Sequence, residues 1–246
     1  MKKILLVLSL LVLFGGWVDK PNEKEKTEVS SVNLKEADIY YKNGISKYQL
    51  KNYEGAILDF NRSIELNPNF KEAYVFRGIV KESLKNFEDA ILDYDKAIEL
   101  DPKYALTYYN RGVAKHKLKQ HKKAILDYNK AIELNPEYAE SYSNRGNAKS
   151  DLKQHKEAIL DYNKAIELDP KYAESYYNRG VAKNDLKNYI GAILDYHKAI
   201  ELNPKFAEAY FNRGNARYKL KNYIGANSDF KKANELNPEL KNPYKN

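Results

Sequence analysis

The octapeptide YYNRGVAK stands at Tyr108–Lys115 and again, letter for letter, at Tyr176–Lys183. The copies lie 68 residues apart, and 68 is twice a shorter interval. Pro68, Pro102, Pro136, Pro170, Pro204 and Pro238 follow one another every 34 residues, and Gly44, Gly78, Gly112, Gly146, Gly180 and Gly214 keep the same step. A fixed period without insertions means one supersecondary unit written over and over, here six times. Most of the octapeptide's identity is therefore repeat consensus rather than the mark of a reacting site.

Inside one period the apolar residues fall at helical spacing. From Ala105 to Tyr138, residues Tyr108, Tyr109, Gly112, Ala114 and Leu118 fit a first helix; Ala124, Ile125, Tyr128, Ala131, Ile132 and Leu134 fit a second. Short polar joints such as KLKQHKK (Lys117–Lys123) separate them, and each second helix closes at Asn-Pro or Asp-Pro. Proline disfavours helix in the residue before it and suits the first turn of the helix after it, so each proline is expected early in the next helix. Asn33 with Glu36 three residues on has the form of a capping box that opens the first helix.

These residues resemble the tetratricopeptide repeat family, whose pattern W-x2-L-G-x2-Y…A-x3-F…P has this period. The likeness runs from Ala37 to Leu240. The Gly, the Pro and an Ala-x3-aromatic pair (Ala56 and Phe60, Ala90 and Tyr94, Ala124 and Tyr128, Ala158 and Tyr162, Ala192 and Tyr196, Ala226 and Phe230) occur in every copy. Tyr replaces the family's Trp throughout, and Arg or Asn stands in place of its Leu. The resemblance implies an all-α, right-handed solenoid of six stacked 34-residue helical hairpins, at 37–70, 71–104, 105–138, 139–172, 173–206 and 207–240. It also implies a recognition scaffold with no chemistry of its own.

The columns suggest how such hairpins pack. Glycine within a helix costs roughly 1 kcal/mol against alanine, so a retained column predicts helices too close together for a β-carbon. Arg77, Arg111, Arg145, Arg179 and Arg213 recur where the first copy has Asn43, while Asp59, Asp93, Asp127, Asp161, Asp195 and Asp229 are present in all six. The copy without the arginine is the one without a preceding neighbour. This predicts that each Arg pairs with the Asp 18 residues earlier, across the seam between copies. In the last copy Asn227, Ser228 and Asn234 replace the Ile-Leu and Ile of inner copies, so its second helix is expected to be its own polar cap, with the tail 241–246 too short for another helix.

The composition excludes several chemistries. Without cysteine there is no disulfide, thiolate metal site or thiol nucleophile. His121 and His155 take a joint position held elsewhere by Tyr53, Phe87, Tyr189 and Tyr223, which marks them as packing residues, and with His116 and His197 they complete the histidines. No phosphate-cradling loop or nucleophile elbow is present. The expectation is no enzyme, no cofactor, no small-molecule substrate and no metal.

The N-terminus stands apart. MKK precedes a 15-residue apolar run, Ile4–Val18, which reads as an export signal. It fits a cleaved peptide and a retained membrane anchor alike. Residues 19–33 are charged and poor in large apolar side chains, and are read as a linker. A bacterial protein of the periplasm, envelope or exterior is the expected setting.

The net charge of +8, or +6 without Lys2 and Lys3, raises nucleic acid or an anionic envelope polymer as partners. The lysine column Lys51, Lys85, Lys119, Lys153, Lys187 and Lys221 sits in the joints among acidic residues instead of forming a stripe, which reads as a solvated charged edge. Export further disfavours nucleic acid, and an electrostatic binder of nucleic acid or an anionic envelope polymer stands as the alternative reading. Self-association through the repeat ends is a third reading. The resemblance places first helices along a concave groove, lined in the inner copies by Tyr109, Asn110 and Val113; Ser143, Asn144 and Asn147; Tyr177, Asn178 and Val181; and Phe211, Asn212 and Asn215. Rings and carboxamides suit an extended peptide or protein segment, since an amide both donates to and accepts from a main chain. Glu140, Glu174 and Glu208 occupy one place where the family's clamp for acidic C-termini carries lysine, so such tails are disfavoured.

Overall fold

A computed structural model describes residues 23–244 as helices joined by tight turns. The apolar run 1–18 and the first residues of the expected linker lie outside the described residues. The chain divides into two compact units between Phe70 and Lys71. The first contains α1 (Glu23–Gln49) and α2 (Tyr53–Leu66). The second contains five hairpins: α3 (Lys71–Ser83) with α4 (Phe87–Leu100), α5 (Ala105–Lys117) with α6 (His121–Leu134), α7 (Ala139–Asp151) with α8 (His155–Leu168), α9 (Ala173–Asp185) with α10 (Tyr189–Leu202), and α11 (Ala207–Lys219) with α12 (Tyr223–Leu236). Within it each helix packs on the next in sequence, and successive first helices touch one another. The described residues are all-α helical hairpins, and the five of the second unit stack as a solenoid.

Helix α1 runs back to Glu23, through most of the segment read as linker and past Asn33, which is helical and caps nothing. Residues 23–33 contain neither glycine nor proline, so no breaker stops the helix from extending. From Ser30 on, the first buried side chain along it is Ala37, where the repeat begins.

The hairpin core is built from the small-residue columns and one large ring per copy. Phe60, Tyr94, Tyr128, Tyr162, Tyr196 and Phe230 are almost completely buried. Each lies against the glycine of its own hairpin, and a β-carbon on Gly146 would come within 2.7 Å of Tyr162 Cε1. The alanines facing these rings have no exposed surface, as Ala124, Ala148, Ala158 and Ala182 show.

The prolines do not enter the following helix. Pro102 lies in the turn after α4, and α5 begins at Ala105. Asp101 explains the motif: its carbonyl accepts the Tyr104 amide at 3.3 Å and its carboxylate the Lys103 amide at 2.9 Å. Asn or Asp thus closes a turn that proline pre-sets, as Asn135 and Asp169 do after α6 and α8.

Inside each hairpin the turn is made by a lysine. Lys51, Lys85, Lys119, Lys153, Lys187 and Lys221 all have φ between 58° and 63°, the left-handed region. The lysine column is thus a backbone position that ends the first helix, with the side chain directed outward.

At the C-terminal end Asn227 and Asn234 are exposed, as a polar cap requires, whereas Ile200, the counterpart of Asn234, is buried. The tail contributes more than its length suggests. Tyr244 stacks on Tyr218 with ring centroids 3.6 Å apart, and Asn242 donates to Asn227 at 2.9 Å.

Candidate partner-binding face

The arginine and aspartate columns meet inside hairpins, not across seams. Arg145 Nε donates to Asp161 Oδ2 at 3.0 Å and Nη2 to Oδ1 at 2.6 Å; Asp161 is 16 residues later, on the same hairpin. Arg111 with Asp127, Arg179 with Asp195 and Arg213 with Asp229 repeat this fork. A lysine or arginine one turn on adds a second cation, as Lys149 does to Asp161 at 2.7 Å. Pairing with the Asp 18 residues earlier is thereby overturned. The remaining arm does cross the seam: Arg111 Nη1 reaches Asp95 at 2.7 Å, and Arg145 and Arg179 reach Asn129 and Asn163 at 2.7 Å. The two forked nitrogens are fixed by the hairpin, so only the third is left for a neighbour.

The twelve residues expected to line the groove fall into unlike environments. Tyr109 packs 4.7 Å from the Tyr138 ring and 6.2 Å from Tyr128, and Val113 joins the same core. Tyr177 packs in the same way on Phe206 and Tyr196, while Phe211 lies on Phe230. Burial pushes the Tyr109 hydroxyl up to about 12, with Tyr172 and Glu140 adding to it; burial and Glu208 also raise Tyr177. These phenols are neutral hydrogen-bonding groups. Ser143 is fully buried and accepts from Ser175 at 3.1 Å.

The asparagines separate by what stands 35 residues before them. Asn144 Nδ2 donates to Tyr109 Oη, and Asn212 Nδ2 to Tyr177 Oη, both at 2.9 Å. Asn178 stands 35 residues after Ser143, which is too short to reach it, and Asn110 is buried with its Nδ2 unpaired. Asn147 is held by Tyr162 Oη at 2.8 Å. Asn178 makes no side-chain hydrogen bond among the described residues. With Val181, Asn147, Ser150, Asp151 and Tyr162 it lines a cavity of about 220 Å³ between α7, α8 and α9.

A third feature was not visible as a group in the sequence. His116, at the end of α5, His121, at the start of α6, and Asp151, at the end of α7, converge at the joint. The offset from His116 to Asp151 is again 35 residues, so the same neighbour relation that joins Tyr109 to Asn144 would have found it.

The matches to known proteins agree with this geometry. Tetratricopeptide repeat families match residues 37–70, 105–138, 127–159 and 207–240, and the TPR repeat matches 83–119, 146–186 and 182–221. The chain belongs to the tetratricopeptide repeat family, whose members are protein-interaction scaffolds and whose fold is typically non-catalytic. No curated protein matches at the sequence level. Among solved structures, MamA is 29% identical over 66% of this chain and 95% of its own, with a TM-score of 0.61. YrrB, described as a TPR protein with an unusual peptide-binding site, is 26% identical over 73% of this chain and 93% of its own, with a TM-score of 0.59. PilF of Pseudomonas aeruginosa, 19% identical over 84% of this chain and 94% of its own, shares the fold with a TM-score of 0.74. No helix among the described residues is long and apolar enough to cross a membrane.

Proposed function

We propose that this chain is a non-enzymatic scaffold of the bacterial cell envelope that holds an extended peptide or protein segment along its first helices. The observation that carries the reading is Asn178: a half-buried carboxamide, beside a cavity, with no side-chain hydrogen bond among the described residues. An amide so placed can donate to one main-chain group and accept from another. Val181 beside it supplies apolar surface for a side chain. The peptide-binding site of YrrB supports the reading by likeness. Export rests on the Met1–Val18 segment.

The test is selection of binders from a random peptide library on the untagged chain, followed by comparison of variants. Asn178→Ala and Val181→Asp should each weaken the selected peptides, while Lys119→Ala and Lys153→Ala should not. Binding should vary little with salt; a steep loss would instead point to an anionic polymer. Peptides that bind the Asn178→Ala and Val181→Asp proteins as well as the parent would overturn the site. Recovery of full-length chain from soluble cytoplasm would overturn the location.

A further inference from the structure

We infer that the α5–α6 joint and the end of α7 form a site for a borderline transition-metal ion, zinc being the natural occupant, with His116, His121 and Asp151 as ligands. The chain places them together for local reasons. Lys119, at φ 58°, folds the backbone so that the His116 and His121 rings meet edge to face with centroids 5.0 Å apart. The next first helix then delivers Asp151 to the same point.

The ligand atoms lie within 4.8 Å of one another. His116 Nε2 is 2.7 Å from Asp151 Oδ2, and His121 Nδ1 is 3.6 Å from it. Ligands at about 2.1 Å around a tetrahedral ion sit roughly 3.4 Å apart, a value between those two distances. The set spans up to 4.8 Å, so the two imidazoles must also close on the ion by rotation about their side-chain bonds, while Asp151, 53% exposed, is free to follow. A simple histidine–aspartate hydrogen bond accounts for His116 but not for His121, whose buried Nδ1 makes no hydrogen bond. An ion among the three would engage that nitrogen.

The donor set fixes the class of ion. Two imidazoles and one carboxylate suit zinc and its neighbours better than calcium or magnesium, which favour oxygen. Three protein ligands leave a fourth position for water or a partner's side chain. Lys117 and Lys119 also border the space, a cavity of about 490 Å³, and oppose a dication. Their charges sit on exposed, flexible stems, where solvent screens them.

The repeat provides its own control. One period later the equivalent residues are Ser150, His155 and Asp185, with Ser150 Oγ 3.3 Å and Asp185 Oδ2 3.8 Å from His155 Nδ1. One period earlier they are Glu82, Phe87 and Lys117. Only the joint of the third copy assembles three ligands among the described repeats.

The experiment is a zinc titration by calorimetry on the untagged, EDTA-dialysed chain, with cobalt(II) absorption as a second readout. One ion per chain is expected, with the visible bands of a nitrogen-and-oxygen tetrahedral site. His121→Phe, the residue that Phe87 supplies in the second copy, keeps the joint filled and should weaken zinc by at least about tenfold, as should Asp151→Asn. His155→Phe should leave the titration unchanged. Absence of binding at millimolar zinc would overturn the site. So would equal affinity in the His121→Phe/Asp151→Asn protein, or a loss on His155→Phe as large as that on His121→Phe.

Discussion

Arg145 grips Asp161 with two nitrogens, at 3.0 and 2.6 Å, and so ties the first helix of its hairpin to the second. Asp161 is almost fully buried and also takes Lys149 at 2.7 Å. A carboxylate this far from water requires its cations, and losing one leaves a desolvated charge behind. The pair therefore fixes the register of the hairpin.

A double-mutant cycle measures this. Arg145→Ala and Asp161→Ala are each expected to destabilise by about 2–4 kcal/mol, with the double variant losing less than the sum. The cycle on Asp127 and Arg145 should be additive within roughly 0.5 kcal/mol. Coupling in the second cycle and none in the first, measured by urea unfolding, would return the pairing to the seam.

The glycine column gives an opposite-sign prediction to helix propensity. Alanine in place of Gly146 would gain roughly 1 kcal/mol in an isolated helix. In the hairpin its β-carbon meets three ring atoms of Tyr162 within 3.0 Å, and that ring is buried on all sides. Overpacking of this kind costs about 1–3 kcal/mol, so Gly146→Ala should lower the unfolding midpoint on balance. A raised midpoint would mean that the ring can swing away.

The repeat period, the hairpins and the buried ring in each were legible because Gly, Ala-x3-aromatic and Pro recur without a gap. The Arg–Asp partner was not, since Asp127 and Asp161 lie at comparable distances in sequence from Arg145, and only the antiparallel packing of α7 on α8 chooses between them. The candidate face was legible as a list but not as an order. Asn144 and Asn178 look alike within the period; they differ through Tyr109 and Ser143, the residues 35 positions before them. The same offset hides the meeting of His116 with Asp151 in the sequence, because the 34-residue period aligns equivalent places and not spatial neighbours.

The lysine column predicts a gain. A side chain at φ near 60° costs more than glycine does there, and Lys153 sits at 63°. Lys153→Gly should raise stability by about 0.5–1 kcal/mol or leave it unchanged, the larger unfolded-state entropy of glycine offsetting part of the relief. A clear loss in urea unfolding would show that the ammonium group itself holds the joint.

Glu82 makes stability depend on pH. It sits half-buried near the end of α3, and loss of solvent pushes its carboxyl from 4.5 up to about 7, against the smaller opposing pull of the Tyr94 hydroxyl and Lys117. The folded chain keeps this proton over a range where the unfolded chain has released it. Stability from this group is therefore full below about 4.5, falls as pH rises through the interval to about 7, and stays at its lowest above that. The shift corresponds to at most roughly 3 kcal/mol. Glu82→Gln removes the titration, so the variant should gain on the parent between pH 4.5 and pH 8 in urea unfolding, with most of the change below pH 7. An equal difference between the two proteins at both ends would show that Glu82 ionises in the folded chain as it does in the unfolded one.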